Sequence, residues 1–240
     1  MVERVVPEAG RKRRRPTKAG VVLSEGMIID TALRMIEEHG SEGLSARRLG
    51  RALGADPSAV YRYFHSMDDL LLAMADELIT RVTREWHSTG DWRADLHRWG
   101  LSAHAEYMKY PQAAQITAAR ITGSTAELAG VELILAALRG AGFPDHLAVL
   151  GYRLFITQML SYAARDGAGK LVANRRADID RWKNTYAHAS AETYPNIAAV
   201  AELLEQHDGS STYPLALRLL LGTIQAMLEE KHSSTRPSDI

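Results

Sequence analysis

"LSARRLGRALGADPSAVYRYF", Leu44 to Phe64, holds two helix starts and the turn between them. Ser45 is a natural N-cap, and Leu49 and Leu53, four apart, share one helical face. Gly54 can end that short helix, after which Asp56-Pro57 restarts the chain with Asp as cap and Pro at the first helical position. The next helix is expected to run to about Phe64. If Val60 and Phe64 (i and i+4) point inward, Ser58 and Arg62 point directly away, with Ala59 beside them and Tyr61 and Tyr63 on the flanks. A helix barely two turns long does not fold for its own sake. Its outer surface suits the DNA major groove. Small Ser58 and Ala59 let the helix sit deep, and Arg62 can fork onto guanine O6 and N7. Phenol hydroxyls on either flank can reach phosphates and fix the register. Arg47 and Arg48 on the preceding helix add cations, and the helix start at Ser45 offers amides to a phosphate. Helix, Gly-containing turn and helix make a helix-turn-helix, whose second helix does the reading.

On the N-terminal side, Ser24 can cap a helix with Ile28, Ala32, Leu33 and Ile36 as its apolar stripe and Gly40 as its end. Residues 1–20, with "RKRRRPTKAG", lack periodicity and read as a flexible basic arm, by function a DNA-contacting arm or simply a solubilising tail. On the C-terminal side, Ser66 to Asp69 resembles a capping box and opens a fourth helix, about 67–85, with Leu70, Leu71, Met74, Leu78 and Val82 at helical spacing. Further helices are expected near 91–108, 112–120, 125–140, 145–165, 178–191 and 213–231, with a shorter one near 197–206 and a loop at 166–177. No strand-type alternation is sustained, so the chain reads as all-α.

The chain has 240 residues and no cysteine, which excludes disulfides, thiolate zinc sites and cysteine nucleophiles. Its net charge is zero, but residues 1–66 carry twelve Lys/Arg against eight Asp/Glu, and residues 67–240 seventeen against twenty-one. A polyanion is drawn to the first quarter and repelled by the remainder. No apolar run follows the early charges as in a signal peptide. The longest apolar reach, Leu147 to Ala164, is broken by Arg153 and Gln158. A soluble cytoplasmic protein without a membrane span is expected. "DGAGKL" at 166–171 fails as a phosphate loop: the first Gly is missing and Leu follows Lys170. His97 and His104 can share a face, but histidine spacing alone does not make a metal site. No enzyme activity, cofactor or metal is expected.

The motifs Leu-x-x-Arg-x-Leu-Gly-x-x-Leu-Gly, Ser-x-x-Tyr-x-x-Phe and Asp-Leu-Leu occur in order within "IIDTALRMIEEHG" and "GLSARRLGRALGADPSAVYRYFHSMDDLLLAMADELI". In these residues, Ser24 to Val82 resembles the N-terminal domain of the tetracycline-repressor (TetR) family of transcriptional regulators. The resemblance implies a three-helix DNA-binding domain, with its connecting fourth helix, over 21–85. It also implies a helical effector-binding and dimerisation domain over 86–232; the polar residues 233–240 read as a disordered tail. It places DNA contacts at Ser45, Ala46 and Arg47, then at Pro57, Ser58, Ala59, Tyr61, Arg62 and Tyr63. The family's common Lys at the start of the fourth helix is Met67 here, so His65, Ser66 or helix-terminal amides would replace that contact. Tyr63 stands where His is frequent. Trp99, His104, Tyr107, Met108, Tyr152 and Tyr162 lie on helices that line the effector pocket in similar proteins.

The implied function is a repressor that binds a palindromic operator in double-stranded DNA as a homodimer and is released by a small-molecule effector. Helices 145–165 and 213–231 are its expected dimer faces, the alternative being that they are monomer core, and the fourth helix, ~30 Å long at ~1.5 Å per residue, is a lever. Two other classes stay open: a DNA-binding regulator without a small-molecule effector, and an all-α enzyme or carrier with an incidental helix-turn-helix.

Overall fold

Ser24 begins the first helix as its spacing predicts. In the computed structural model, which describes residues 22–40, 43–119, 123–171, 175–206 and 210–234, its Oγ accepts from the Met27 amide at 3.2 Å. Helix α1 (Glu25–His39) buries Ile28, Ala32, Leu33 and Ile36 and ends at Gly40, whose φ of 70° favours glycine. Helix α2 (Ala46–Ala52) starts under Ser45, whose Oγ accepts from the Arg48 amide. Gly54 then turns the chain at φ 62°. Asp56 caps the following segment by accepting from the Ser58 amide at 2.8 Å.

That segment, Pro57–Arg62, is a 3-10 helix and not the α-helix to Phe64 that the spacing suggested. Its tighter winding of about 3.0 residues per turn changes which side chains share a face. It crosses α2 at Gly50, where a Cβ would lie 3.0 Å from the nitrogen and Cα of Pro57 and 3.1 Å from the Ala55 carbonyl oxygen. The two helices of the motif therefore meet backbone to backbone. Helix α3 (Met67–Arg84) opens with Ser66 Oγ accepting from the Asp69 amide at 3.0 Å.

The chain divides into two compact units between Leu70 and Leu71, inside α3 and not after it. The second unit holds the rest of α3 with α4 (Trp92–Tyr107), α5 (Pro111–Ala119), α6 (Thr125–Gly140), α7 (Asp145–Leu171), α8 (Arg175–Ala187), α9 (Pro195–Ala199), α10 (Ala201–Glu205) and α11 (Tyr213–Ser234). Among the described residues there is no strand, and no helix is long and apolar enough to cross a membrane. Helix α7 packs on α4, α5, α6 and α11.

The expected loop at 166–177 is corrected: α7 continues through Leu171 and α8 begins at Arg175. Gly167, inside that expected loop, is a point of close approach between helices. A Cβ there would lie 2.9 Å from Pro111 Cβ and 3.0 Å from the Met108 carbonyl oxygen, so glycine lets α7 pass the α4–α5 corner. The single short helix expected near 197–206 is two, broken at Val200. Helix α11 runs through Ser234, into the expected tail, whose residues 235–240 lie outside the described residues, as does the basic arm.

Gly50→Ala places a methyl group against fixed backbone, and overpacking of this kind costs about 1–3 kcal/mol. Urea denaturation of the two proteins should show that loss as a lower midpoint for the variant.

Candidate nucleic-acid interface and cavity

In the first unit, Ser58, Tyr61 and Arg62 are exposed on the 3-10 segment, while Val60 and Phe64 are buried. At three residues per turn Ser58 lies above Tyr61, so this pair, in place of Ser58 with Arg62, forms the outer stripe. Arg62 follows Tyr61 and is exposed at the end of the segment. Ala59 is 2 % exposed, which corrects its expected place on the outer face: it is buried, as its neighbour Val60 is.

Tyr63 is corrected as well. It is half-buried, and its hydroxyl donates to the Leu23 carbonyl at 2.6 Å, tying the end of the segment to the start of α1. A hydroxyl committed to that bond is not free to reach a phosphate. Asp56 is exposed, and hydrogen bonds from the Ser58 hydroxyl and amide, with the Arg62 charge adding, hold its carboxyl below the usual range. Around the segment stand exposed Arg47, Arg48 and His65, with Ser45, Ala46, Pro57 and Met67 half-buried. The surface is cationic at its edges, with a small residue and a phenol at its centre.

The second unit holds a cavity of about 490 Å³. Trp99, Tyr107 and Tyr152 line it; His104, Met108 and Tyr162 do not. His104 is turned elsewhere by two interactions. Its ring stacks on Tyr213 with centroids 4.2 Å apart, and its Nε2 lies 3.0 Å from Asp166 Oδ2. Tyr162 packs its ring on Tyr213, with the Arg165 guanidinium above it. Met108 caps the C-terminus of α4, its amide donating to the His104 carbonyl. Burial alone would raise the Asp166 carboxyl pKa, but hydrogen bonds from Ser211, His104 and Arg165 outweigh it and hold the group low.

The sequence reading missed the wall from α7 around Tyr152: Ile156, Met159 and Leu160. Those positions follow Tyr152 at helical spacing, so the signal was present once one residue of the face was chosen. Glu127 and Val131 on α6 gave no comparable cue. Among the described residues no group of three or more His, Asp or Glu side chains is placed to hold a metal.

Residues 28–74 match the family described as bacterial regulatory proteins, tetR family. Residues 87–228 match the tetracyclin repressor-like C-terminal domain. The HTH-type transcriptional repressor DrrR1 of Streptomyces coeruleorubidus is 24 % identical over 239 residues, covering 96 % of this chain and 87 % of its own. The class C tetracycline repressor protein of Escherichia coli is 26 % identical over 211 residues, covering 85 % of this chain and 92 % of its own. Among solved structures, ActR of Streptomyces coelicolor in complex with actinorhodin superposes with a TM-score of 0.72 at 23 % identity, over 85 % of this chain and 98 % of that one. The N-terminal match spans both helices of the reading motif and the C-terminal match more than half of the chain; the protein belongs to the TetR family of DNA-binding transcriptional regulators.

Proposed function

We propose that this protein represses transcription from a two-fold symmetric operator and is released by a small lipophilic molecule held in the cavity of its second unit. The observation that carries the reading is the exposed Ser58, Tyr61 and Arg62 surface on a rigidly capped helix-turn-helix, in a chain that also carries a mostly apolar cavity. Cavities of roughly 300–1,000 Å³ with few polar groups are the usual size and character of small-molecule sites. ActR, which has the same fold, is described in complex with actinorhodin and with (S)-DNPA, and DrrR1 is named a repressor. Both support the reading.

Arg62 is the proposed base-reading residue. Tyr61, Arg47, Arg48, His65, the hydroxyls of Ser45 and Ser58 and the Ala46 amide set the register of the helix on the phosphates, and Pro57 sets its depth by packing against the DNA backbone. One short reading helix makes few base contacts, so a second copy is required for useful specificity. Exposed apolar side chains four apart on two helices supply a face for it: Leu150 and Leu154 on α7, and Leu215 and Leu219 on α11. A two-fold pair of these helices closes on itself, as a symmetric dimer must.

Selection of bound duplexes from a random pool tests the whole reading. A palindrome with half-sites about one helical turn apart, or a multiple of it, is expected. Arg62→Ala should then cost about 1–3 kcal/mol on that site and relax preference at one base pair per half-site. Retained preference would remove Arg62 from the base edge, and selection of no sequence would remove the operator.

The two tyrosines separate contact from architecture. Tyr61→Phe should weaken binding equally across sequences. Tyr63→Phe should instead lower stability by about 0.5–1.5 kcal/mol, the worth of one hydrogen bond, and leave duplex affinity unchanged. Denaturation midpoints and duplex titrations of both variants check this.

A molecule that releases the protein must be bound more weakly, by the same factor, when saturating duplex is present. Calorimetric titration with and without duplex is the measurement, and a factor of about 5–150 is the typical range.

A further inference from the structure

Helix α3 begins in the first unit and ends in the second, where it is fastened to two neighbouring helices beside the cavity. Its Ile79 and Val82 line the cavity wall. Ala75, one turn before Ile79, is buried, and its carbonyl accepts from the Tyr107 hydroxyl of α4 at 3.3 Å. Gly130 of α6 passes close to α3; a Cβ there would lie 3.3 Å from Ile79 Cγ2. The third attachment joins two side chains. Ser124 Oγ donates to Asp76 Oδ1 at 2.8 Å.

Ser124 is also the N-cap of α6. Its Oγ accepts from the Glu127 amide at 3.0 Å, and the Glu127 side chain accepts from the Gly123 amide at 2.7 Å. This is the reciprocal pattern of a capping box, closed one residue earlier than usual. A serine hydroxyl has one proton to donate, and here Asp76 takes it. One oxygen therefore serves both the first turn of α6 and the side of α3. Glu127 lines the cavity, whereas Ser124 and Asp76 do not. Hydrogen bonds weaken steeply with misalignment, so the α6 cap and α3 shift together or the bond is lost. The apolar contact of Gly130 with Ile79 has no such directionality.

We propose that the Ser124–Asp76 hydrogen bond couples the cavity to the DNA-reading unit, with Ser124 and Asp76 as positioning residues that touch neither ligand nor duplex. The inference rests on the cavity being the effector site, and it names the contact through which occupancy reaches α3. A molecule that presses on Glu127 displaces the α6 cap, and the tether carries that displacement to Asp76. Helix α3 then carries it toward Met67, its first residue, in the unit that holds the reading segment.

Coupling between two binding sites is reciprocal, so the tether can be tested from the DNA side with no effector in hand. Amide hydrogen exchange of the full chain is followed with and without the duplex selected from the random pool. The reporters are the Glu127 and Leu128 amides, which Ser124 holds through its Oγ and its carbonyl oxygen. Duplex should slow their exchange about 5-fold or more, the lower end of typical coupling factors. Asp76→Ala and Ser124→Gly should each abolish that duplex effect. Glycine is tolerated at N-caps, so Ser124→Gly removes the donor at little cost to the helix. Ser124→Thr keeps the hydroxyl and should keep the effect. A merely structural contact would alter exchange equally with and without duplex, and that result overturns the proposal. So does no duplex effect in the unaltered chain, an effect that survives in both broken variants, or its loss in Ser124→Thr. Each of these leaves the DNA-binding reading standing, because duplex affinity is measured separately by titration. A pool that yields no bound duplex overturns that reading, and the coupling with it.

Discussion

The second unit is organised by how closely other helices can approach α7. Three glycines set those distances. At Gly151 a Cβ would lie 3.3 Å from Leu138 on α6, and at Gly167 it would press on the α4–α5 corner. The third glycine is on the partner helix: Gly100 of α4 would carry a Cβ within 3.1 Å of Phe155 and 3.0 Å of Leu217 and the Tyr213 hydroxyl. That hydroxyl donates to the Gly100 carbonyl, so the close approach is also a polar one. Protein interiors are packed like organic crystals, and a missing side chain on one helix fixes where its neighbour stands. The cavity is the space left along the Tyr152–Ile156–Leu160 face of α7.

The same helix carries one half-buried carboxylate into the structure. Asp166 joins α7 to His104 on α4 and to Ser211 just before α11. Removing a charge from water is costly unless hydrogen bonds answer it, and here three side chains do. Because its carboxyl is held below the ordinary value, the group contributes stability above the usual carboxylate range. That contribution is lost as pH falls through its folded pKa.

Local chemistry was legible in the sequence and distant chemistry was not. The caps at Ser24, Ser45 and Asp56 depend on a side chain and an amide two or three residues away, so a short window contains the whole interaction. The helical stripe of α1 is equally self-contained. Tyr63 could not be read this way, since its hydroxyl answers a carbonyl forty residues earlier. The 3-10 winding of Pro57–Arg62 and the burial of Ala59 were not legible, because both depend on what packs over the segment. Proline at its start and Gly50 beneath it favour the tighter form through tertiary contact. Gly167 was misread for a related reason. Glycine breaks a helix when nothing gains from its absence of side chain, and α7 gains the α4–α5 corner. In the cavity, aromatic residues were easy to nominate, but whether each faced inward depended on partners such as Tyr213 that spacing does not reveal.

The Tyr63 to Leu23 bond also fixes a starting point. Leu23 is held at the end of the reading segment, so the chain before it leaves from that place. Eight Cα-to-Cα steps separate Leu23 from Arg15, and at ~3.3–3.6 Å per step their contour is at most roughly 26–29 Å. Whatever anion the Arg11 to Arg15 run meets while the helix-turn-helix is docked, it meets as part of the same molecule. The relevant quantity is then an effective concentration, of order millimolar for short tethers, and not the concentration of protein in solution.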